Sequence, residues 1–218
     1  MELKEFFPIW GKISQKDREI LAGSAVSRSS RQGMILHNEN SDCDGLYAVK
    51  SGQLRVFISR EGREITLFRL LERDICLLSA SCILSDIQFD VLIQAEKDTE
   101  YYTIPSKIYK QLMNTSVEIS NFTNQIMSAR LTEVLWLIEQ IVFKRLDSRL
   151  AEFLIDECHF EGSDKLKLTH EQIAAHLGTA REVISRMLKY FESEGTVKLS
   201  RGVITLTDME KLKSISQM

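Results

Sequence analysis

The sequence lacks the features that mark membrane-spanning, secreted and disordered proteins. Its longest unbroken apolar runs are only a few residues, far short of the ~20 that a membrane helix requires. The first residues contain no basic segment followed by an apolar one, so they predict no signal peptide. With only 2 prolines among 218 residues and 44% hydrophobic residues, the composition is that of a folded protein, which we expect in the cytoplasm.

Arrangements for metal binding or catalysis are also missing. The four histidines do not fall at metal-ligand spacing, so we predict no metal site. The sequence has no H-E-x-x-H, no glycine-rich phosphate loop and no G-x-S-x-G, and we therefore predict that it is not an enzyme. The cysteines form no C-x-x-C pair and are expected as free thiols, packed as small hydrophobic side chains; they are Cys43, Cys76, Cys82 and Cys158.

The chain has no strong excess of charge of either sign. It has 28 Lys and Arg against 31 Asp and Glu, which gives a net charge of −3. This balance argues against a protein that coats nucleic acid or binds an anionic membrane over its whole surface. If the protein binds DNA, a local basic patch must do so.

Residues 33–104 alternate between short β-rich segments and turns. Residues 46–49, 53–59, 64–68 and 91–93 are rich in β-branched and aromatic side chains. Gly52 and Gly62 lie in the turns between them, where hairpins favour glycine. Antiparallel strands at this spacing predict a compact β-barrel or β-sandwich.

After the β-rich region the spacing of apolar residues changes to that of a long helix with a heptad repeat, from Val117 to Ile141. Two interpretations remain open for its apolar stripe: a surface helix that packs on its own domain, or the seam of a two-stranded homodimer, which we favour. No Gly or Pro interrupts the segment. The core of the predicted dimer interface is Met127, Leu131, Val134, Ile138 and Ile141, within the heptad positions Val117, Ser120, Asn124, Met127, Leu131, Val134, Ile138 and Ile141.

The C-terminal third predicts two short helices joined by a tight turn. Asp147 is placed to cap a preceding helix that runs towards Cys158. Thr169 with Gln172, and Thr179 with Glu182, have the spacing of two capping boxes, and Gly178 lies in the turn between the helices. Two helices connected in this way form a helix-turn-helix. Residues 197–199 and 203–206, with the turn 200–202, then predict a hairpin wing.

The second of these helices presents a charged face opposite its apolar one. Arg supplies a bidentate donor pair for guanine, and Glu an acceptor for the cytosine amino group, so this face suits the major groove. A solvated charged face is the alternative interpretation. The predicted DNA-binding residues, including Lys and Arg placed to meet phosphate, are Thr179, Arg181, Glu182, Ser185, Arg186, Lys189, Lys198 and Arg201.

The segment Leu-Gly-Thr-Ala-Arg-Glu-Val-Ile-Ser-Arg-Met-Leu at 177–188 closely resembles the recognition motif of the Crp/Fnr family of bacterial transcription regulators. The resemblance implies an α+β fold with a β-roll (cupin-like) sensor domain at 1–112, a dimerisation helix at 113–145 and a winged helix-turn-helix at 146–218. It also implies a homodimer that binds a palindromic promoter site and contacts RNA polymerase, with Arg181, Glu182 and Arg186 reading bases. TGTGA-like and TTGAT-like half-sites both remain open.

The resemblance also indicates which cofactors the sensor domain would not take. The two residue pairs that bind cyclic nucleotides in the family align here with Leu77-Leu78 and Phe89-Asp90, and Asp90 would repel a phosphate. We therefore argue against cyclic AMP. No cysteine precedes Cys43, which leaves no N-terminal iron–sulfur ligand set. Haem would need a different ligand set, since Ser79 takes the place of the family's histidine beside Cys76.

We expect instead an apolar effector pocket that takes a small organic molecule or nothing. A thiol switch between Cys76 and Cys82 is the alternative signal. The predicted function is a DNA-binding regulator modulated by such an effector or redox signal. An interaction module, or a regulator without ligand control, is the competing hypothesis. The predicted pocket residues are Cys76, Leu77, Leu78, Phe89 and Asn124.

Overall fold

The computed structural model describes residues 2–38, 45–77 and 91–217. The chain separates into two compact units. The first comprises Met1–Ile58 and Leu67–Val134, and the second comprises Ser59–Thr66 and Leu135–Met218. The long helix therefore contributes to both units, and the predicted three-part division at residues 112 and 145 stays a prediction. In the described ranges no helix has the length and apolarity to cross a membrane.

The first unit is built on two four-stranded antiparallel sheets, as the short β-rich segments predict. The strands are β1 (Val26–Ser30), β2 (Ile35–His37), β3 (Leu46–Ser51), β4 (Leu54–Arg60), β5 (Arg63–Leu70), β6 (Ile75–Cys76), β7 (Leu92–Ala95) and β8 (Thr99–Ile104). The strand orders of the two sheets are β1-β8-β3-β6 and β2-β7-β4-β5. A short 3₁₀ turn at Leu3–Phe6 and helix α1 (Gln15–Ser24) precede the sheets, and α2 (Ser106–Thr115) and α3 (Val117–Phe143) follow them.

Glycine is required at the turn between β3 and β4. Gly52 has a φ of +88°, a conformation that L side chains rarely adopt, and a Cβ there would collide with the carbonyl oxygen of Asp98. Gly62, between β4 and β5, has a φ of +76°. The Gly62 turn joins neighbouring strands of one sheet, and the hairpin predicted there is confirmed. The hairpin predicted at Gly52 is wrong, because that turn carries the chain from β3 in one sheet to β4 in the other.

Two apolar clusters stabilise the first unit. One fills the space between the sheets, with Val49, Leu54 and Ile93 fully buried. The other joins the N-terminal segment to α2 and the start of α3. There the Tyr109 hydroxyl lies 2.9 Å from Thr123 Oγ1, which itself donates to the Ile119 carbonyl, so Tyr109 is the donor. Burial raises the pKa of Tyr109 to about 12.

The second unit contains the predicted helix-turn-helix and wing. Its three-stranded sheet has the order β10-β11-β9, and its core includes the fully buried Leu150, Ile173, Ile184 and Phe191. Helix α7 is an element that the sequence analysis did not predict. The elements are α4 (Leu146–Glu161), β9 (Lys165–Leu166), α5 (His170–Leu177), α6 (Arg181–Ser193), β10 (Val197–Ser200), β11 (Val203–Leu206) and α7 (Met209–Ser216).

The predicted cap of α4 is wrong. The N-cap residue is Arg145, in an extended conformation and without a side-chain cap bond, and Asp147 lies inside the first turn. Its carboxylate accepts a hydrogen bond of 2.8 Å from Arg145 Nη2. Asp147 still favours the helix start, because a negative charge in the first turn interacts well with the free N–H groups there.

Candidate nucleic-acid interface

The first helix of the helix-turn-helix has the capping box that its sequence predicts. The Thr169 hydroxyl accepts from the Gln172 backbone N–H at 3.1 Å, and the Gln172 side chain accepts from the Thr169 backbone N–H at 2.8 Å. At the other end Gly178 adopts a φ of +70° and caps the helix in the left-handed region. Local hydrogen bonds therefore define both ends of α5.

The second predicted capping box does not form. Helix α6 begins at Arg181, its N-cap is Ala180, and no side chain caps it. Thr179 belongs instead to the end of α5, where its backbone N–H donates to the Ala174 carbonyl at 3.0 Å. The turn is one residue longer than the Thr-x-x-Glu spacing assumes, which moves Thr179 out of the cap position.

This difference predicts unequal effects of two matched substitutions. We expect Thr169→Ala to lower the free energy of unfolding by about 1 kcal/mol, because it removes a capping hydroxyl. Thr179→Ala should change it by less than about 0.5 kcal/mol, as is usual away from such features. Urea denaturation of both variants measures the difference. Equal losses would mean that Thr179 also stabilises the motif through its side chain.

Helix α6 separates an apolar face from a charged one. Ile184, Leu188 and Phe191 are fully buried, whereas the predicted Val183 and Met187 are only half-buried. On the opposite face Ser185 is half-buried, and four charged side chains are exposed. Within the described ranges these four form no ion pair with one another or with the rest of the chain; they are Arg181, Glu182, Arg186 and Lys189.

The wing is present as predicted. Strands β10 and β11 pair antiparallel from Val197 opposite Leu206 to Ser200 opposite Val203. Lys198 on β10 and Arg201 in the turn are both exposed. The second unit thus offers exposed basic groups on α6 and on the hairpin.

His170 is also part of this surface, and it was not among the predicted site residues. Its Nδ1 lies 2.7 Å from Ser185 Oγ, and Ser185 Oγ donates to the Arg181 carbonyl at 2.9 Å. Since the hydroxyl hydrogen is used there, His170 Nδ1–H must be the donor. Burial, and then the nearby charges of Arg181 and Lys189, lower the pKa of His170.

The environment of His170 predicts a loss of stability in mild acid. Its pKa is lower in the folded chain than the ordinary value of 6.5, so the unfolded chain binds more protons as the pH falls below 6.5. His170→Gln should reduce the loss of unfolding free energy between pH 7.5 and pH 5.5. Urea titrations of wild type and variant at both pH values measure this change. An identical loss in the two proteins would contradict the assignment.

Two further segments of the second unit contact the end of α5 and the turn of the helix-turn-helix. Arg149 on α4 donates from Nη2 to the Leu177 carbonyl at 2.9 Å, and burial lowers the pKa of this guanidinium. Within the same unit Thr66 Oγ1 lies 2.8 Å from His176 Nδ1. A Cβ at Gly178 would lie 3.0 Å from Ile65 Cδ1. Glycine is thus favoured at 178 by its φ and by close packing.

The C-terminal half of α3 exposes an apolar surface. Leu131 is 60% exposed and Ile138 is 50% exposed, and Ile141 is exposed as well. Met127 and Val134, also predicted to lie in the dimer seam, pack partly against the cores of their own unit. The exposed apolar surface is widened by Leu135, Trp136, Val142 and Phe143.

Three of the five residues predicted to line the effector pocket lie in the described part of the chain, and these three have different surroundings. Cys76 is 1% exposed and packs in the cluster between the sheets, while its neighbour Leu77 packs in the other cluster. Asn124 is exposed on α3. Leu78 and Phe89 lie outside the described residues.

Cys76 and Cys158 are buried free thiols, and burial is the main cause that raises the pKa of Cys158. Cys43 and Cys82 lie outside the described residues.

The site has no arrangement for a metal in the part of the chain that the structure describes, since no group of three His, Cys, Asp or Glu side chains converges there. What converges is a helix-turn-helix, an exposed face of α6 with three basic groups and one acidic group, and a wing. Residues 148–215 match the family model of the Crp-like helix-turn-helix domain, and residues 27–116 match that of the cyclic nucleotide-binding domain. Fold and site together define a DNA-binding transcription regulator.

Relatives match over nearly the whole chain. A crystal structure described as a transcriptional regulator of the Crp/Fnr family from Eubacterium rectale is 51% identical, covers 98% of this chain and 99% of its own, and superposes with a TM-score of 0.95. The cyclic AMP receptor protein of Thermus thermophilus is 23% identical over 96% of each chain. A CooA mutant from Carboxydothermus hydrogenoformans is 25% identical, with a TM-score of 0.65, over 96% of this chain and 95% of its own. The chain belongs to the Crp/Fnr family of transcription regulators.

Proposed function

We propose that this protein is a homodimeric regulator that binds a palindromic promoter site through α6. The observation that carries the proposal is the exposed face of α6, where Arg181, Glu182 and Arg186 are free of ion pairs within the described residues. A guanidinium can donate two hydrogen bonds to the O6 and N7 of guanine, and a carboxylate can accept one from cytosine N4. The first turns of a recognition helix are the part that reaches base edges.

The remaining polar groups of this surface position the protein on the DNA and do not read the base sequence. Lys189 on α6, Lys198 on the wing and Arg201 at its tip are exposed and suit phosphate oxygens. Thr179 and Ser185, both half-buried, offer short polar side chains at the start of the face. The region from 147 to 218 is slightly acidic in total, with ten basic and twelve acidic residues. Binding therefore depends on where the cations lie and not on net charge.

The exposed surface of α3 supports the homodimer. Leu131, Ile138 and Ile141 follow heptad spacing, and large apolar side chains left in water are typical of an interaction surface. A second copy of the same helix has the same repeat and can cover it with two-fold symmetry. That symmetry presents two α6 helices to the two halves of a palindrome, whose half-sites lie about 34 Å apart.

Regulation at the first unit and contact with RNA polymerase complete the proposal, in line with family membership. A small effector is favoured over a thiol signal, because Cys76 is 1% exposed and packed among apolar side chains. Cyclic AMP is disfavoured by Phe89 and Asp90, which take the family's phosphate-binding positions in the sequence and lie outside the described residues.

Selection from a library of random duplexes tests the function. The full chain should enrich a palindrome with TGTGA-like or TTGAT-like half-sites. The double variant Arg181→Ala, Arg186→Ala should lose this enrichment. Lys213→Ala removes an exposed cation of α7, which pairs with Glu210, and should retain it. No enrichment by the wild type, or equal recovery by the double variant, would refute DNA reading by α6.

A further inference from the structure

A cavity of about 300 Å³ lies in the first unit between strands of its two sheets. Its volume falls at the lower end of the range for small-molecule sites, about 300–1,000 Å³. Strands β1, β3 and β8 of one sheet and β2 of the other provide its walls. The side chains that the argument uses are Arg28, Ser30, Leu36, Tyr47, Tyr101 and Thr103.

The strand register explains why these side chains converge. Arg28 on β1 is paired with Tyr101 on β8, and Tyr47 on β3 is paired with Thr103 on β8. Directly paired residues share a face, and so do residues two apart on one strand. Arg28, Tyr47, Tyr101 and Thr103 therefore lie on one face of the sheet. Cys76, which pairs with Tyr47, is the predicted pocket residue that lies beside this wall.

One wall of the cavity carries a buried hydroxyl with unused bonding capacity. Thr103 is only 7% exposed, and across the described residues its Oγ1 has no hydrogen-bond partner. Native proteins satisfy nearly all buried polar groups, so a buried unpaired hydroxyl that lines a cavity points to a ligand or water as its partner. Ser30 adds a second hydroxyl to the lining.

Arg28 gives the cavity its charge. Its guanidinium forms no hydrogen bond or ion pair with any residue that the structure describes, and no acidic side chain is among the lining residues. Five N–H donors in a planar fork fit a carboxylate or a phosphate group. Arg28 is exposed to solvent, and the cavity that it lines therefore favours an anion over a cation.

The tyrosines give the cavity an aromatic wall in which the two rings meet edge to face. The ring centroids of Tyr47 and Tyr101 lie 5.3 Å apart at an interplanar angle of 64°. The Tyr47 hydroxyl donates to the Leu36 carbonyl at 3.3 Å, which holds its ring across the space between β3 and β2. Such a wall suits an unsaturated or aromatic ring.

We propose that this cavity binds a small organic anion, whose acidic group pairs with Arg28 and whose flat body lies against Tyr47 and Tyr101, with Thr103 as a hydrogen-bond partner. The inference rests on the proposed function, in which the anion is the effector. The walls of the cavity are formed by β1, β2, β3 and β8, and it is therefore a different site from the one predicted around Cys76, Leu77, Leu78, Phe89 and Asn124, which stays a prediction.

The test is a thermal shift of the full chain with benzoate and phenyl phosphate as probes. At about ten times Kd, each anion should raise Tm by roughly 3–6 °C, as expected for a chain of this size. Benzamide, a neutral analogue of benzoate, should raise it by less than about 0.5 °C. Arg28→Gln should abolish the shift, and Thr103→Val should reduce it. Arg31→Gln changes an exposed cation outside the lining and should retain it.

Three outcomes would overturn the site: no shift with either anion, the same shift in Arg28→Gln, or an equal shift with benzamide. The duplex selection on the same preparation separates this failure from that of the proposed function. If the protein enriches a palindrome but neither anion shifts its Tm, the proposed function stands and only this ligand site is refuted. A protein that binds the anions but enriches no sequence has the cavity and is not the proposed regulator.

Discussion

Ile138→Glu should convert the protein to monomers and abolish tight binding to a palindromic duplex. Ile138 is 50% exposed in a single chain and occupies a heptad position of α3. In the proposed dimer the substitution places two carboxylates opposite each other in an apolar seam, where an unpaired charge is costly. Loss of the second half-site should lower affinity for the palindrome by about 10²–10⁴-fold. Sedimentation and a titration with duplex measure both effects.

Thr132→Glu is the matched control for this charge. Thr132 lies on the same helix, is exposed, and occupies a heptad position that faces away from the seam. It should leave both mass and duplex affinity close to wild type. If Ile138→Glu sediments as the wild type does, the contact between copies lies elsewhere. If both variants dissociate, the effect is one of net charge and not of the seam.

Arg186→Ala should weaken binding to the preferred duplex by about 1–3 kcal/mol per half-site and relax the preference at one base pair. Arg186 is exposed on α6, and the described residues provide it with no ion pair to compensate for its removal. The loss should be confined to duplexes that carry the preferred base pair. Titrations against a set of duplexes with each single base pair changed measure it.

Lys198→Ala provides the contrasting case. Lys198 is exposed on the wing and is proposed to contact phosphate. Its removal should weaken binding about equally on every duplex and lower the dependence of affinity on salt, with a change in slope of about 1. If Arg186→Ala behaves in the same uniform way, Arg186 contacts phosphate and does not read a base.

Much of the secondary structure follows from short-range patterns. The hairpin at Gly62, the capping box of Thr169 and Gln172 and the wing around Arg201 depend on residues a few positions apart, and the structure contains all three. The α6 pattern also correctly separates the buried from the exposed face. These features could be predicted because hydrogen bonds and helical periodicity within one segment determine them.

The errors arise where segments compete for the same groups. Thr179 has the spacing of a cap, yet its backbone N–H bonds to Ala174 at the end of α5. Asp147 was placed at a cap position that Arg145 occupies. In each case a neighbouring element decides between two arrangements that the local pattern allows.

The sequence by itself determined the short strands, the helix-turn-helix with its wing, the charged face of α6 and the apolar stripe of α3, because each follows from a local pattern within one contiguous segment. Only the tertiary structure decided that Arg28 shares a cavity wall with Thr103, and that His170 donates to Ser185. The first pairing depends on the register of β1 and β3 against β8, and the second on how α5 packs on α6. Strand register and helix packing are set by side chains far apart in the chain, so no local pattern reports them.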